Sequence, residues 1–84
     1  MKAPGGKIVT VDVREDIRQG RDPFEKIMAA VDQLQPDETL LLIVSFEPLP
    51  LYRVMAQYGF SHWTERTVDG DWQVYFRRDA QRLP

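Results

Sequence analysis

Thr39-Leu40-Leu41-Leu42-Ile43-Val44-Ser45-Phe46 places apolar side chains at consecutive positions, so neither face of the segment is polar. That pattern predicts a central strand with neighbours on both sides. No apolar run in the chain is longer than its core, Leu40 to Val44. It is far short of the roughly 20 residues that a membrane-spanning helix needs.

Upstream of it, Asp22-Pro23-Phe24-Glu25 reads as a helix start. Asp22 can accept from backbone N–H groups of the first turn, and Pro23 suits the first helical position. Glu25, three residues after the cap, completes a capping-box pattern. Phe24, Ile27, Met28, Val31 and Leu34 follow helical spacing, and Gln35-Pro36-Asp37 ends the helix. Before it, Lys7 to Val13 alternates as a strand, with Val9, Val11 and Val13 on one face and Ile8, Thr10 and Asp12 on the other. Arg14 to Arg21 reads as a charged connection.

Downstream, Glu47-Pro48-Leu49-Pro50 turns the chain. Leu51, Val54, Met55 and Tyr58 mark a second, shorter helix, and Gly59 stands where a left-handed C-terminal residue belongs. Phe60 to Val68 and Asp71 to Arg78 alternate around Asp69-Gly70, a strong hairpin signal. A two-residue loop sets Val68 opposite Asp71 and Trp63 opposite Phe76. Trp63, Trp72, Val74 and Phe76 then face the core, and His62, Thr64, Arg66, Gln73, Tyr75 and Arg77 face away. On that reading, removing Phe24 or Trp63 costs about 3–5 kcal/mol.

The order β-α-β-α-β-β predicts an α+β two-layer sandwich. Two helices cover one face of a four-stranded sheet and leave the other open. Residues 1–6 are expected as a disordered tail, 7–78 as a single domain and 79–84 as a polar tail. The 84 residues and 43% hydrophobic content are those of one small globular domain. No cysteine means no disulfide framework, thiolate metal site or thiol nucleophile, and a single His makes a histidine metal site a poor expectation. Thirteen acidic against 11 basic residues argue against a nucleic-acid coat. The N-terminus lacks the apolar region of a signal peptide, so the expected compartment is the cytoplasm.

Several short motifs, in order, resemble the TusA/SirA-like family of small sulfur-carrier proteins. Val11-Asp12-Val13-Arg14 is similar to that family's "D-x-R" segment on the first strand. Asp22-Pro23 stands at its Cys-Pro motif, and Pro36-Asp37-Glu38-Thr39-Leu40 resembles its "P-G-E-T-L" entry to the second strand. Glu47-Pro48-Leu49-Pro50-Leu51-Tyr52, followed by Gly59-Phe60 and a last strand bearing Trp72 and Val74, resembles still more a cysteine-free, uncharacterised branch of that superfamily, a domain-of-unknown-function family. The resemblance covers about residues 8–78. It implies a mixed sheet whose last strand runs antiparallel between the second and third. In sulfur carriers the motif's cysteine sits at a helix N-terminus, where thiolate or persulfide is stabilised. Asp22 stands there in this chain, and a carboxylate accepts no sulfur, so the resemblance carries the fold but not sulfur transfer. It also suggests redox or metal-binding modules, such as hemerythrin-like domains, as the partner class.

Candidate residues divide into three groups. Arg14, Asp22 and Glu47 lie near one end of the sheet, the end where α/β folds place ligands. They form a candidate small-anion or acid–base site, against plainer roles as ion pair, helix cap and loop residue. Ile8, Leu41, Ile43 and Tyr75 fall on the open face, where a contiguous apolar patch on a small protein marks an interaction surface. Arg66, Arg77, Arg78 and Arg82 with Tyr75 make a candidate RNA patch, and the fold also resembles the C-terminal domain of a translation initiation factor. His62 reads as a surface histidine. The leading expectation is a non-catalytic, cytoplasmic interaction or regulatory module without cofactor, metal or membrane attachment. It would dock an unidentified protein partner and be a monomer or weak homodimer itself.

Overall fold

A computed structural model describes residues 7–79; the expected tail at 1–6, most of the C-terminal tail and Arg82 lie outside them. The elements are β1 (Ile8–Asp12), α1 (Arg14–Arg18), α2 (Phe24–Gln33), β2 (Thr39–Val44), α3 (Leu49–Gln57), β3 (Phe60–Arg66) and β4 (Trp72–Arg78). The strands form one mixed sheet in the order β1-β2-β4-β3. β1 runs parallel to β2, and β4 lies antiparallel between β2 and β3. β2 is thus the central strand that its two apolar faces require.

One face of the sheet packs against α2 and α3. Its contributors are Val11 from β1, Leu40, Leu42 and Val44 from β2, and Val74 and Phe76 from β4. Val13, one residue beyond β1, continues the same alternation into the core. The helices answer with Ile27, Val31 and Leu34 on one side and Leu51 and Met55 on the other. Phe76, Leu40, Leu42 and Met55 are among the largest fully enclosed side chains. Burial removes these large side chains from water completely, so each contributes more to the hydrophobic stabilisation than a smaller core residue does.

At the start of α2 the Phe24 N–H donates to Asp22 Oδ1 (2.9 Å), and the Ile27 N–H donates to the Pro23 carbonyl (3.0 Å). Pro23 already has helical dihedrals, so Asp22 caps the first turn as its sequence position requires. The reciprocal Glu25 bond of a capping box is not formed. Asp22→Ala is expected to lower stability by about 1 kcal/mol, read from the denaturant midpoint at unchanged slope.

Three expectations need correction. The charged connection from Arg14 to Arg21 contains a short helix, α1, tethered by Ile17 against the core. Lys26 Nζ donates to Asp16 Oδ2 (2.9 Å) and Arg21 pairs with the same carboxylate. A five-residue helix shows too little of a stripe for periodicity to reveal it. Phe24, expected in the core, is 44% exposed, because its side chain borders an open groove beside the end of β2.

The third correction concerns the hairpin. Its loop has three residues, Val68-Asp69-Gly70. The Gly70 N–H donates to the Thr67 carbonyl (3.0 Å), and the Thr67 N–H donates to the Asp71 carbonyl (2.9 Å). Gly70 takes φ +90°, the pattern of a type I turn followed by a left-handed glycine. A two-residue type I′ loop would demand left-handed dihedrals at Asp69 as well; here glycine alone bears them. The Thr67 hydroxyl also accepts the Asp71 N–H (3.1 Å) and favours the longer loop. The extra residue shifts the register by one, so Trp63 pairs with Tyr75 rather than Phe76. A one-residue slip turns every side chain of a strand over. Trp63 therefore lies on the open face, 47% exposed, while His62, Thr64 and Arg66 lie on the helix side. The assignment of β4 stands, with Val74 and Phe76 buried and Trp72 half-buried.

Candidate functional site

The face of the sheet opposite the helices presents a continuous row across all four strands. Thr10 pairs with Leu41, Leu41 with Tyr75, and Tyr75 with Trp63. The indole and phenol rings at the end of the row stack at 5.1 Å with planes 5° apart. Ile43 and Ile8 flank the row; Ile8 is 58% exposed, and Leu41, Ile43 and Tyr75 are half-buried. The Tyr75 hydroxyl donates to Glu65 Oε1 (3.4 Å). Burial, and then the neighbouring Glu65 charge, push the Tyr75 phenol above its ordinary value. Asp12 and Glu65 bound one side of the row, and Arg77, which donates to Thr39 Oγ1 (3.1 Å), bounds the other. The face is apolar at its centre and charged at its margin, and Trp63 is the member that the two-residue loop had hidden. Thr67, a hydroxyl just before Val-Asp-Gly, is the sequence signal that reveals it.

Arg14, Asp22 and Glu47 all sit near the C-terminal ends of β1 and β2, but each is engaged separately. The Arg14 guanidinium bridges Asp12 (2.7 Å) and Asp71 (2.7 Å), tying the end of β1 to the start of β4. Those two carboxylates, Asp12 first, raise the guanidinium further above its already high value, and Arg14 in turn holds the Asp12 carboxyl below its ordinary value. Asp22 caps α2. Glu47 accepts from the Tyr52 hydroxyl (3.2 Å). No hydrogen bond or ion pair joins the three.

Beside Asp22 lies a groove of about 240 Å³ between α2, the end of β2 and α3. Phe24, Phe46, Pro48 and Leu51 line it, and Asp22 is its one ionisable side chain.

His62 stacks on Tyr52 at 3.8 Å, with the Phe76 ring 6.0 Å away. It is a surface histidine held by aromatic neighbours, a contact that only the corrected register reveals. Burial first, and Glu47 second, push the Tyr52 phenol up to about 12. The folded state therefore favours the neutral phenol. Its contribution to stability is complete below about pH 10 and is lost as pH rises through the folded value. Glu47→Gln is expected to bring the Tyr52 titration back only partway, since burial is the larger cause; ring-labelled tyrosine NMR reads it directly.

The arginines do not gather. Arg66 stacks over Trp72 (4.4 Å) and Arg78 over Phe60 (4.7 Å) on the helix side, whereas Arg77 is on the open face. Among the described residues, no three His, Cys, Asp or Glu side chains are grouped to hold a metal ion, and no helix is long and apolar enough to cross a membrane.

Neither a comparison with curated proteins nor one with solved structures returns a match. Residues 10–78, which span β2, both principal helices, the hairpin and most of β1, match the profile of an uncharacterized conserved protein family, DUF2249, and the chain belongs to that family.

Proposed function

We propose that the chain is a non-catalytic, cytoplasmic docking module of sulfur-carrier-like descent, binding a protein partner through the open face of its sheet. The observation that carries this reading is the Leu41–Tyr75–Trp63 row with Ile8 and Ile43 beside it. An apolar centre with charged margins is the anatomy of a protein interface, and stacked Trp and Tyr are the residue types that dominate binding energy at such sites. Asp22 supports the non-catalytic half of the reading. By the resemblance it stands where the carrier family has its cysteine, and a carboxylate cannot hold a persulfide. The partner class is a redox or metal-binding module, the one suggested by the resemblance.

A second reading, a small-anion or catalytic site, draws on the shared sheet end of Arg14, Asp22 and Glu47. An anion there would have to displace Asp12 or Asp71 from Arg14.

An NMR titration of the labelled protein separates the two, using a hemerythrin-like domain in one series and a phosphate and carboxylate panel in the other. Docking predicts broadening at Ile8, Leu41, Ile43, Trp63 and Tyr75, abolished by Ile43→Glu. Shifts confined to Arg14, Asp22 and Glu47 on adding small anions would overturn it in favour of the second reading.

A further inference from the structure

β3 is the outer strand of the sheet beyond β4, and among the described residues nothing pairs with its outward edge. Which residues supply that edge follows from the hydrogen bonds at the two ends of the hairpin. The Asp79 N–H donates to the Gly59 carbonyl (2.8 Å), and the Thr67 N–H donates to the Asp71 carbonyl. Odd-numbered positions on this strand therefore direct their backbone groups toward β4, and the alternation of an antiparallel ladder carries this through Ser61, Trp63 and Glu65. The N–H and C=O groups of Phe60, His62, Thr64 and Arg66 point away from the sheet.

Natural sheets usually blunt such an edge with proline, bulges or charged side chains, lysine above all; on β3 the charges, Glu65 and Arg66, stand only at the hairpin end. Phe60–Arg66 has no proline or lysine and pairs residue for residue with β4 without a bulge. Every residue after Phe60 is exposed.

We infer that this edge pairs with a second copy of itself, antiparallel about a two-fold axis through Trp63, to give a continuous eight-stranded sheet. Trp63 is the midpoint of the strand, so this register uses all seven residues. Phe60 faces Arg66 of the second copy, Ser61 faces Glu65, His62 faces Thr64, and Trp63 faces its own copy. The phase is correct. The even-numbered residues, whose backbone groups are free, meet one another as hydrogen-bonded pairs, and the odd-numbered side chains meet across the closer, non-hydrogen-bonded positions. A shift by one residue would set free groups against occupied ones. The side chains also agree. No like charges face each other across this register.

The helix side leaves room for the second copy. α3 packs on the Phe60–His62 half of β3, where Tyr52 stacks on His62, and Thr64, Glu65 and Arg66 are exposed. The two-fold sets that covered half beside the other copy's uncovered Thr64–Arg66 half, so the two α3 helices lie on a diagonal. On the opposite face, the apolar rows of the two copies join end to end through their indoles. This inference stands apart from the docking reading, since it concerns the edge and not the face.

The chain lacks cysteine, so a single introduced thiol reports one contact. Trp63→Cys brings its two copies to a non-hydrogen-bonded pair, about 4.5 Å between Cα atoms, at the near end of disulfide reach. Mild oxidation is expected to convert most of this variant to a covalent dimer. Val68→Cys, at the fully exposed hairpin tip, should give little. Sedimentation of the unmodified protein should show the mass of two chains at high concentration. Thr64→Pro deletes an outward N–H while sparing the bonds to β4, and should shift the mass to one chain with an unchanged far-UV spectrum. A one-chain mass throughout the concentration series overturns the inference. So does a dimer that survives Thr64→Pro, or equal cross-linking of the two thiol variants. If Thr64→Pro fails to fold, the thiol pair decides.

Discussion

Phe76→Ala is expected to remove most of the protein's stability. Phe76 is fully buried on β4, between the pairing strands β2 and β3 and beneath the Tyr52 ring at 6.4 Å. Removing a buried phenylalanine costs about 3–5 kcal/mol, part transfer and part cavity. Folded domains are stable by only about 5–15 kcal/mol, and a small domain, which buries a smaller fraction of its surface, sits near the lower end. Trp63→Ala removes a larger ring and should cost far less, because the indole is 47% exposed and packs on Tyr75 alone among the aromatic rings. Urea melts of the two variants should differ by more than 2 kcal/mol in the order Phe76 over Trp63 (a buried and a half-exposed aromatic). The reverse order would place Trp63 in the core and restore the two-residue hairpin loop.

Met55→Ala should be the next most damaging, at about 2–5 kcal/mol. α3 holds to the sheet by two buried side chains, Leu51 and the fully enclosed Met55; Leu49 on the same helix is 60% exposed. With Met55 gone, Leu51 and the half-buried Tyr52 remain to hold the helix. Native-state hydrogen exchange should show Val54–Gln57 amides losing protection before those of β2 do. Leu49→Ala, on the same helix and with similar chemistry, should change neither the melt nor the exchange beyond a few tenths of a kcal/mol.

Much of the architecture is legible because it rests on period and punctuation. A strand apolar on both faces can only be central, and Leu40–Val44 is central. The Ile27–Val31–Leu34 spacing and the Asp22-Pro23 start give α2 its face and its beginning. Phe24 fits the same spacing, yet spacing says which way a side chain points and not whether the sheet extends beneath it. The hairpin misreading is of another kind. Asp-Gly announces a turn but not its length, and length alone decides which of His62 and Trp63 meets the helices. For the candidate site the same limit applied residue by residue. Leu41, Ile43 and Tyr75 are placed by strands whose phase is secure, whereas Trp63 depended on the loop. Arg14 pairs with Asp12, two residues away, in keeping with its plainer reading as an ion pair; its other partner, Asp71, far along the sequence, leaves no local signal.

The strand order has a consequence for how such a domain is carried. β1 begins and β4 ends at the same end of the sheet, because β1 runs with β2 and β4 against it. With β2 alone between them, Lys7 and Asp79 are separated by two strand spacings, about 10 Å. A host polypeptide can therefore receive residues 7–79 as an insertion in one of its surface loops, with both junctions short and side by side. A circular permutant that joins these ends and opens at the exposed Val68 tip should fold as well.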